Sequence, residues 1–226
     1  MSHYDHDVNT ESGNILIFVL IAVILFGALT YAFTQTTSGT GINTLERSQN
    51  RTRASEVIDY ASDIKQAVSQ IKLLNDCEPS EISFDYGSGD DVSTPAHDYN
   101  NTNSSPGCKV FDGEGGGVSY KKPRSQWLES SATTQDWLFN EVNISGVGSD
   151  KHDLLMHLRE VRGPLCKQLN QELGVGAPQS PAGDVTQNLY NDAFTGPNAT
   201  ASGIDQKTAC VKQSGKFYFY KVLISR

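Results

Sequence analysis

Residues 15–33 read ILIFVLIAVILFGALTYAF, nineteen residues without a charge, in which Thr30 and the Tyr31 hydroxyl are the only polar groups. A helix rises about 1.5 Å per residue, so this length matches the hydrocarbon thickness of a bilayer. In lipid every main-chain N–H and C=O must be satisfied within the segment, which makes a helix the expected form. Gly27 is tolerated there and allows another helix to approach closely. Soluble core helices rarely run this long without a charge. A cleaved secretory signal fits poorly, because the flank before the stretch is acidic and no small-x-small cleavage site follows it.

The 226-residue chain is mildly acidic, with 18 Lys+Arg against 26 Asp+Glu. No basic footprint exists, which argues against a nucleic-acid partner. Beyond the apolar stretch about 190 residues remain, enough for one cored domain. The head, residues 1–14, is short and polar and carries Asp5, Asp7 and Glu11. Its His3 and His6 flank acids, but two histidines in a polar tail do not make a metal site. After Phe33, the run TQTTSGTG at 34–41 should weaken or break the helix at the membrane surface, giving a flexible junction over 34–43.

A second helix is expected from about Thr44 to Asn75. Ala54, Val57, Ala61, Ile64, Val68 and Ile71 recur at spacings of three and four, a heptad seam on one face. Arg53, Glu56, Asp59, Asp63, Lys65 and Lys72 are expected on the opposite face. Such a seam either lies on the domain's own sheet or also packs against copies of itself.

Further strands are expected at 81–86, on both sides of the glycine cluster within 108–120, at 137–147 and at 153–161, the last paired back on its predecessor. Gly163-Pro164 should open a short helix that Gly174 stops. Residues 175–207 read as a loop. The terminal run KFYFYKVLI, 216–224, is strongly strand-forming and apolar enough to belong inside a sheet. The glycine cluster is no phosphate loop, because no GK[ST] and no helix follow it. Asp85, Asp90, Asp91 and Asp98 lack calcium-loop spacing. His152 and His157 lack the intervening Glu of a zinc helix. No nucleophile–base pair, metal cluster or cofactor fingerprint emerges, so no cofactor and no enzymatic activity are expected.

The four cysteines, Cys77, Cys108, Cys166 and Cys210, all follow the apolar stretch and contain no CxxC. An even number beside a membrane anchor fits disulfides in an oxidising compartment. Of three possible pairings, Cys77–Cys108 and Cys166–Cys210 each close an otherwise unstructured loop. Charge asymmetry points the other way: Arg47, Arg51 and Arg53 follow the apolar stretch and no Lys or Arg precedes it, which alone would place the C-terminal domain in the cytoplasm. The cysteines decide the expectation, because Arg47 already stands fourteen residues past Phe33. The expected location is the inner (cytoplasmic) membrane, crossed once, with residues 44–226 as a periplasmic or extracellular α+β domain.

Gly13, the apolar stretch, its amphipathic continuation and the Cys166/Cys210 pair together resemble type IV pilin-like proteins. In that family a polar leader ending in Gly precedes an apolar helix, whose continuation packs on an antiparallel sheet with a disulfide near the C-terminus. The segment Cys108-Lys109-Val110-Phe111, with Gly115–Gly117 and Tyr120, is also similar to a group of bacterial membrane-anchored proteins. The resemblance implies cleavage between Gly13 and Asn14, a pilin-like α+β fold, and a pilus or pseudopilus subunit that associates with itself or with other pilin-like subunits. The chain departs from the family in three places. Its leader is acidic rather than basic, Asn14 replaces the usual Phe or Met, and Phe18 stands where the fifth mature residue is Glu. These departures favour an accessory subunit. The expectation from sequence is therefore a membrane-anchored structural or interaction protein whose partners are the bilayer and other subunits. The alternative is an anchored binding module for a glycan or protein, with Trp127, Trp137 and the loops 87–107 and 175–207 supplying the surface.

Overall fold

The computed structural model describes residues 14–86, 105–133, 135–185 and 200–226. Two compact units divide the chain, Met1–Ser48 and Gln49–Arg226. Helix α1, Asn14–Leu74, is continuous over 61 residues. The expected junction at 34–43 is therefore corrected: the backbone stays helical through it. Thr, Gln and Ser disfavour a helix by only tenths of a kcal/mol each, and Gly39 and Gly41 by about 1 kcal/mol each. Propagating a helix already nucleated on both sides overcomes that cost.

In the first unit, the described large apolar side chains of α1 are exposed. Among the described residues no helix is long and apolar enough to cross a membrane. The described side chains of the apolar stretch run from Leu16 to Ala32, seventeen residues; Ile15 and Phe33 lie outside them.

The second unit is α+β. After α1 come strands β1 (Trp137–Ile144) and β2 (Asp153–Leu158), helix α2 (Gly163–Glu172), and strands β3 (Thr200–Ala201), β4 (Thr208–Gln213) and β5 (Lys216–Ile224). The sheet order is β3-β1-β2-β5-β4. β1, β2, β5 and β4 pair antiparallel, and only the two-residue β3 joins in parallel. The C-terminal strand therefore lies between two neighbours, as its composition demands. Gly215, at φ 82°, and Ser214, at φ 49°, make the tight turn between β4 and β5.

Strand alternation sends two sets of side chains to opposite faces. Trp137, Phe139, Leu154, Met156, Leu158 and Phe219 meet α1 and α2 in one core. Val142, Ile144, Leu155, Val211, Tyr220 and Val222 form a second core on the other face, joined by Val185 and Ile204. Because both faces are covered, β1 and β2 are buried along their whole lengths. All six seam residues of α1 are at most 1% exposed. The seam is thus used against the chain's own sheet, the plainer of its two expected roles.

Several expectations are revised. Residues 81–86 form no strand; Ser83 alone bridges to Lys109. Ser83 N donates to Cys108 O at 3.0 Å and Val110 N to Ser83 O at 2.9 Å. The Cys77–Cys108 bond pins this short pairing, and among the described residues no longer partner lies alongside it. Residues 108–120 make successive turns instead of a hairpin. Gly116 is required there by close approach, since a Cβ would stand 2.5 Å from the Val110 carbonyl and 2.9 Å from the Ala67 methyl. Strand β3 falls within the stretch 175–207 expected to be loop, and β4 follows directly on that stretch.

Candidate functional site

From Leu16 to Tyr31 the large apolar side chains of α1 are exposed by 47% at Ile21 and up to 80% at Phe26. A monomer in water does not sustain such a surface; contiguous apolar patches of this extent mark contact with lipid or protein. Thr30 Oγ1 donates to the Phe26 carbonyl at 2.6 Å, so the one hydroxyl within the helix turn is internally satisfied. The whole circumference is apolar, which distinguishes this segment from the one-faced helix that continues it in the domain.

In the second unit a cleft of about 500 Å³ opens beside α1. Glu56, Asp59, Tyr60 and Asp63 form one wall, and Lys121, Lys122, Arg124 and Trp127 the other. A neighbouring cleft of about 340 Å³ continues along the helix past Gln66 and Gln70. One wall is acidic and the other basic, bridged by Arg124 Nη1 and Glu56 Oε1 at 3.1 Å. Two of the lining cations lie by lining rings, Arg124 5.9 Å from the Trp127 ring and Lys121 5.6 Å from the Tyr60 ring. Burial pushes the Tyr60 phenol up to about 12; the Lys121 main-chain N–H opposes that shift and Asp63 adds to it. Two buried polar atoms here have no hydrogen-bond partner, the indole nitrogen of Trp127 and Oε2 of Glu56. An unpaired buried polar group costs about 1–3 kcal/mol.

The sequence-derived residues fall as follows. Cys77 pairs with Cys108 and Cys166 with Cys210, with Cα separations of 5.9 Å and 5.4 Å. Asn14 begins α1, while Gly13, His3 and His6 lie outside the described residues. Both tryptophans are buried, Trp127 at 6% and Trp137 at 1%, so neither offers an open stacking face. Asp85 is ion-paired to Lys109 at 3.6 Å; Asp90, Asp91 and Asp98 lie outside the described residues. No group of three or more His, Cys, Asp or Glu side chains that could hold a metal occurs among the described residues.

His157 is fully buried on β2, and neither ring nitrogen has a partner among the described residues. Burial, followed by the Arg159 charge, lowers its pKa to about 3, against a smaller opposing pull from Asp184. Sequence reasoning missed Asn170 of α2. Its side chain accepts from Cys210 N at 2.7 Å and donates to Cys210 O at 2.9 Å, satisfying the β4 main chain beside the disulfide. Nothing local in the sequence signals this contact, because its partners are forty residues apart.

No family model, curated protein or solved structure matches the chain.

Proposed function

We propose that this chain is a non-enzymatic, single-pass membrane protein whose disulfide-bonded α+β domain is extracytoplasmic, and that it joins a pilin-like assembly through its N-terminal helix. One observation carries this reading: the uninterrupted ring of exposed apolar side chains from Leu16 to Tyr31. With Ile15 and Phe33 added, the nineteen uncharged residues provide about 28 Å of helix, the depth of a hydrocarbon core. The two disulfides support an oxidising compartment for the domain. The α1 seam is occupied by the sheet, so the apolar segment is the surface available for packing against lipid and against other subunits.

The test combines membrane fractionation with mass spectrometry of the native N-terminus. Recovery in the membrane or in sheared filaments, with a terminus at Asn14, supports an assembled pilin-like subunit. A membrane-bound product beginning at Met1 or Ser2 supports a permanent anchor. A soluble product with reduced thiols refutes both.

A second reading, an anchored binding module, is favoured by the bipolar cleft with its unpaired Trp127 nitrogen and Glu56 oxygen. In that case the anchor serves to present the cleft, and substitutions at Lys122 or Asp59 weaken ligand capture without altering membrane association.

A further inference from the structure

Lys65 of α1 and Lys221 of β5 meet where the helix lies on the sheet. Lys65 Nζ donates to the Val222 carbonyl at 3.2 Å, and Lys221 Nζ donates to Ser62 Oγ at 2.8 Å. Ser62 and Lys65 are one helical turn apart, and Lys221 and Val222 are consecutive, so both ammonium groups share one small patch. Lys207 borders it, since its carbonyl accepts from Val222 N at 2.8 Å.

Among the described residues none of the three lysines is ion-paired to a carboxylate. The carboxylate within electrostatic reach of Lys207 is Asp153, and it already accepts from Ile144 N at 3.1 Å and Arg226 N at 3.0 Å. Burial and then the Lys207 charge lower the pKa of Lys65, while burial and then the Lys65 charge lower that of Lys221. Each ammonium has three donors and uses one on a neutral oxygen. The Ser62 hydroxyl is itself committed to the Ile58 carbonyl at 2.7 Å. Among the described residues the patch therefore holds crowded positive charge, with ammonium donors left over and no carboxylate ion-paired to them.

We propose that Lys65, Lys221 and Lys207 form an oxyanion site that takes a phosphate or sulfate group, free or carried on a lipid. Such a group accepts from several ammonium donors at once and removes the repulsion among them. It would bridge α1 to β5 and so fasten the helix to the sheet. All three residues lie in the second unit, so the site does not depend on the membrane anchor. The alternative is that the lysine stems merely lie along apolar surface with their heads in water, and that arrangement has no preference among anions.

The experiment is thermal unfolding of the full chain in neutral-lipid nanodiscs, followed by tryptophan fluorescence. Inorganic phosphate is titrated against chloride at constant ionic strength. The expected result is a rise in Tm of about 3–6 °C at ten times the dissociation constant. Lys65→Met should abolish this rise and Lys65→Arg should retain it. Lys207→Met, at an exposed position, supplies a second variant should Lys65→Met fold poorly, and it should weaken the rise. A parallel arm replaces part of the neutral lipid with phosphatidylglycerol and omits phosphate. A Lys65-dependent rise in that arm alone identifies the bound group as a lipid headgroup. No rise in either arm, or an equal rise in wild type and both Met variants, overturns the proposal.

Discussion

The buried His157 makes the domain acid-sensitive in a calculable way. Its pKa is about 3 in the folded chain, against an ordinary value of 6.5. The folded state therefore binds fewer protons than the unfolded state between those two values. Stability is complete above about pH 6.5 and falls as the pH drops toward 3. The loss relative to neutral pH follows from the two pKa values: about 2 kcal/mol at pH 5 and about 3 kcal/mol at pH 4. The imidazole lies in register between Leu138 of β1 and Tyr220 of β5. Protonation there places an unpaired charge inside a covered sheet, so relief requires the strands to part. Other groups titrate over the same range: Glu160, lowered through Lys216 against its burial, also loses stability on acidification, whereas Asp153, raised by burial, changes in the opposite sense. Their effects cancel when wild type is compared with His157→Leu. Urea unfolding, followed by the fluorescence of Trp127 and Trp137, reads the domain directly because both rings are buried in it. Between pH 7.5 and pH 5 the wild type should lose about 2 kcal/mol more than the variant. Parallel pH profiles for the two proteins would refute the reasoning.

Further outcomes follow from the same packing. Asn170→Leu should cost about 2–4 kcal/mol in urea unfolding, because it leaves both main-chain groups of Cys210 buried without partners. Replacing Cys166 and Cys210 together by Ser opens a closure of 44 residues and should cost about 4 kcal/mol, read as a lowered denaturation midpoint in non-reducing buffer. Gly116→Ala should destabilise the domain, while Gly113→Ala, with no atom within 4 Å of the added methyl, should leave Tm unchanged; calorimetry of the pair tests the close approach. Ile24→Lys places a charge in the apolar segment at about 3 kcal/mol of insertion cost, and should shift protein from the membrane to the soluble or degraded fraction in alkaline extraction.

Local patterns carried much of the fold. The strand-forming run over 137–144, the alternation of Leu154, Met156 and Leu158, the Gly-Pro start and Gly174 stop of α2, and the aromatic run of β5 are all signals contained within a few residues. The disulfide pairing was legible for a related reason, since each bond closes a loop poor in regular structure. Non-local features were not legible. Strand β4 is called into the sheet by β5 and by Asn170, and the segment around 208–213 has no strong preference of its own. The single bridge at Ser83 looked like a strand because Ile82 and Phe84 alternate with polar neighbours, yet the core they fill lies under α1 and not beside another long strand. The continuity of α1 is not legible from its glycines and threonines taken singly, because helix propagation is cooperative. The bipolar cleft and the lysine patch unite α1 with segments 60 to 160 positions away along the chain, a juxtaposition visible only once helix and sheet are packed.

The covalent tie at the end of α1 has a mechanical consequence. Asn75 Nδ2 holds the Gly107 carbonyl at 2.6 Å, and two residues on, Cys77 is bonded to Cys108. If traction on the apolar rod drags α1 lengthwise out of its bed, side-chain packing yields first, since no main-chain ladder joins that helix to the sheet. Slippage then stops at Cys77, where the load passes into a chemical bond. Oxidised, the domain behaves as a hook that can be strained without being pulled off its stem; reduced, the stem should draw free.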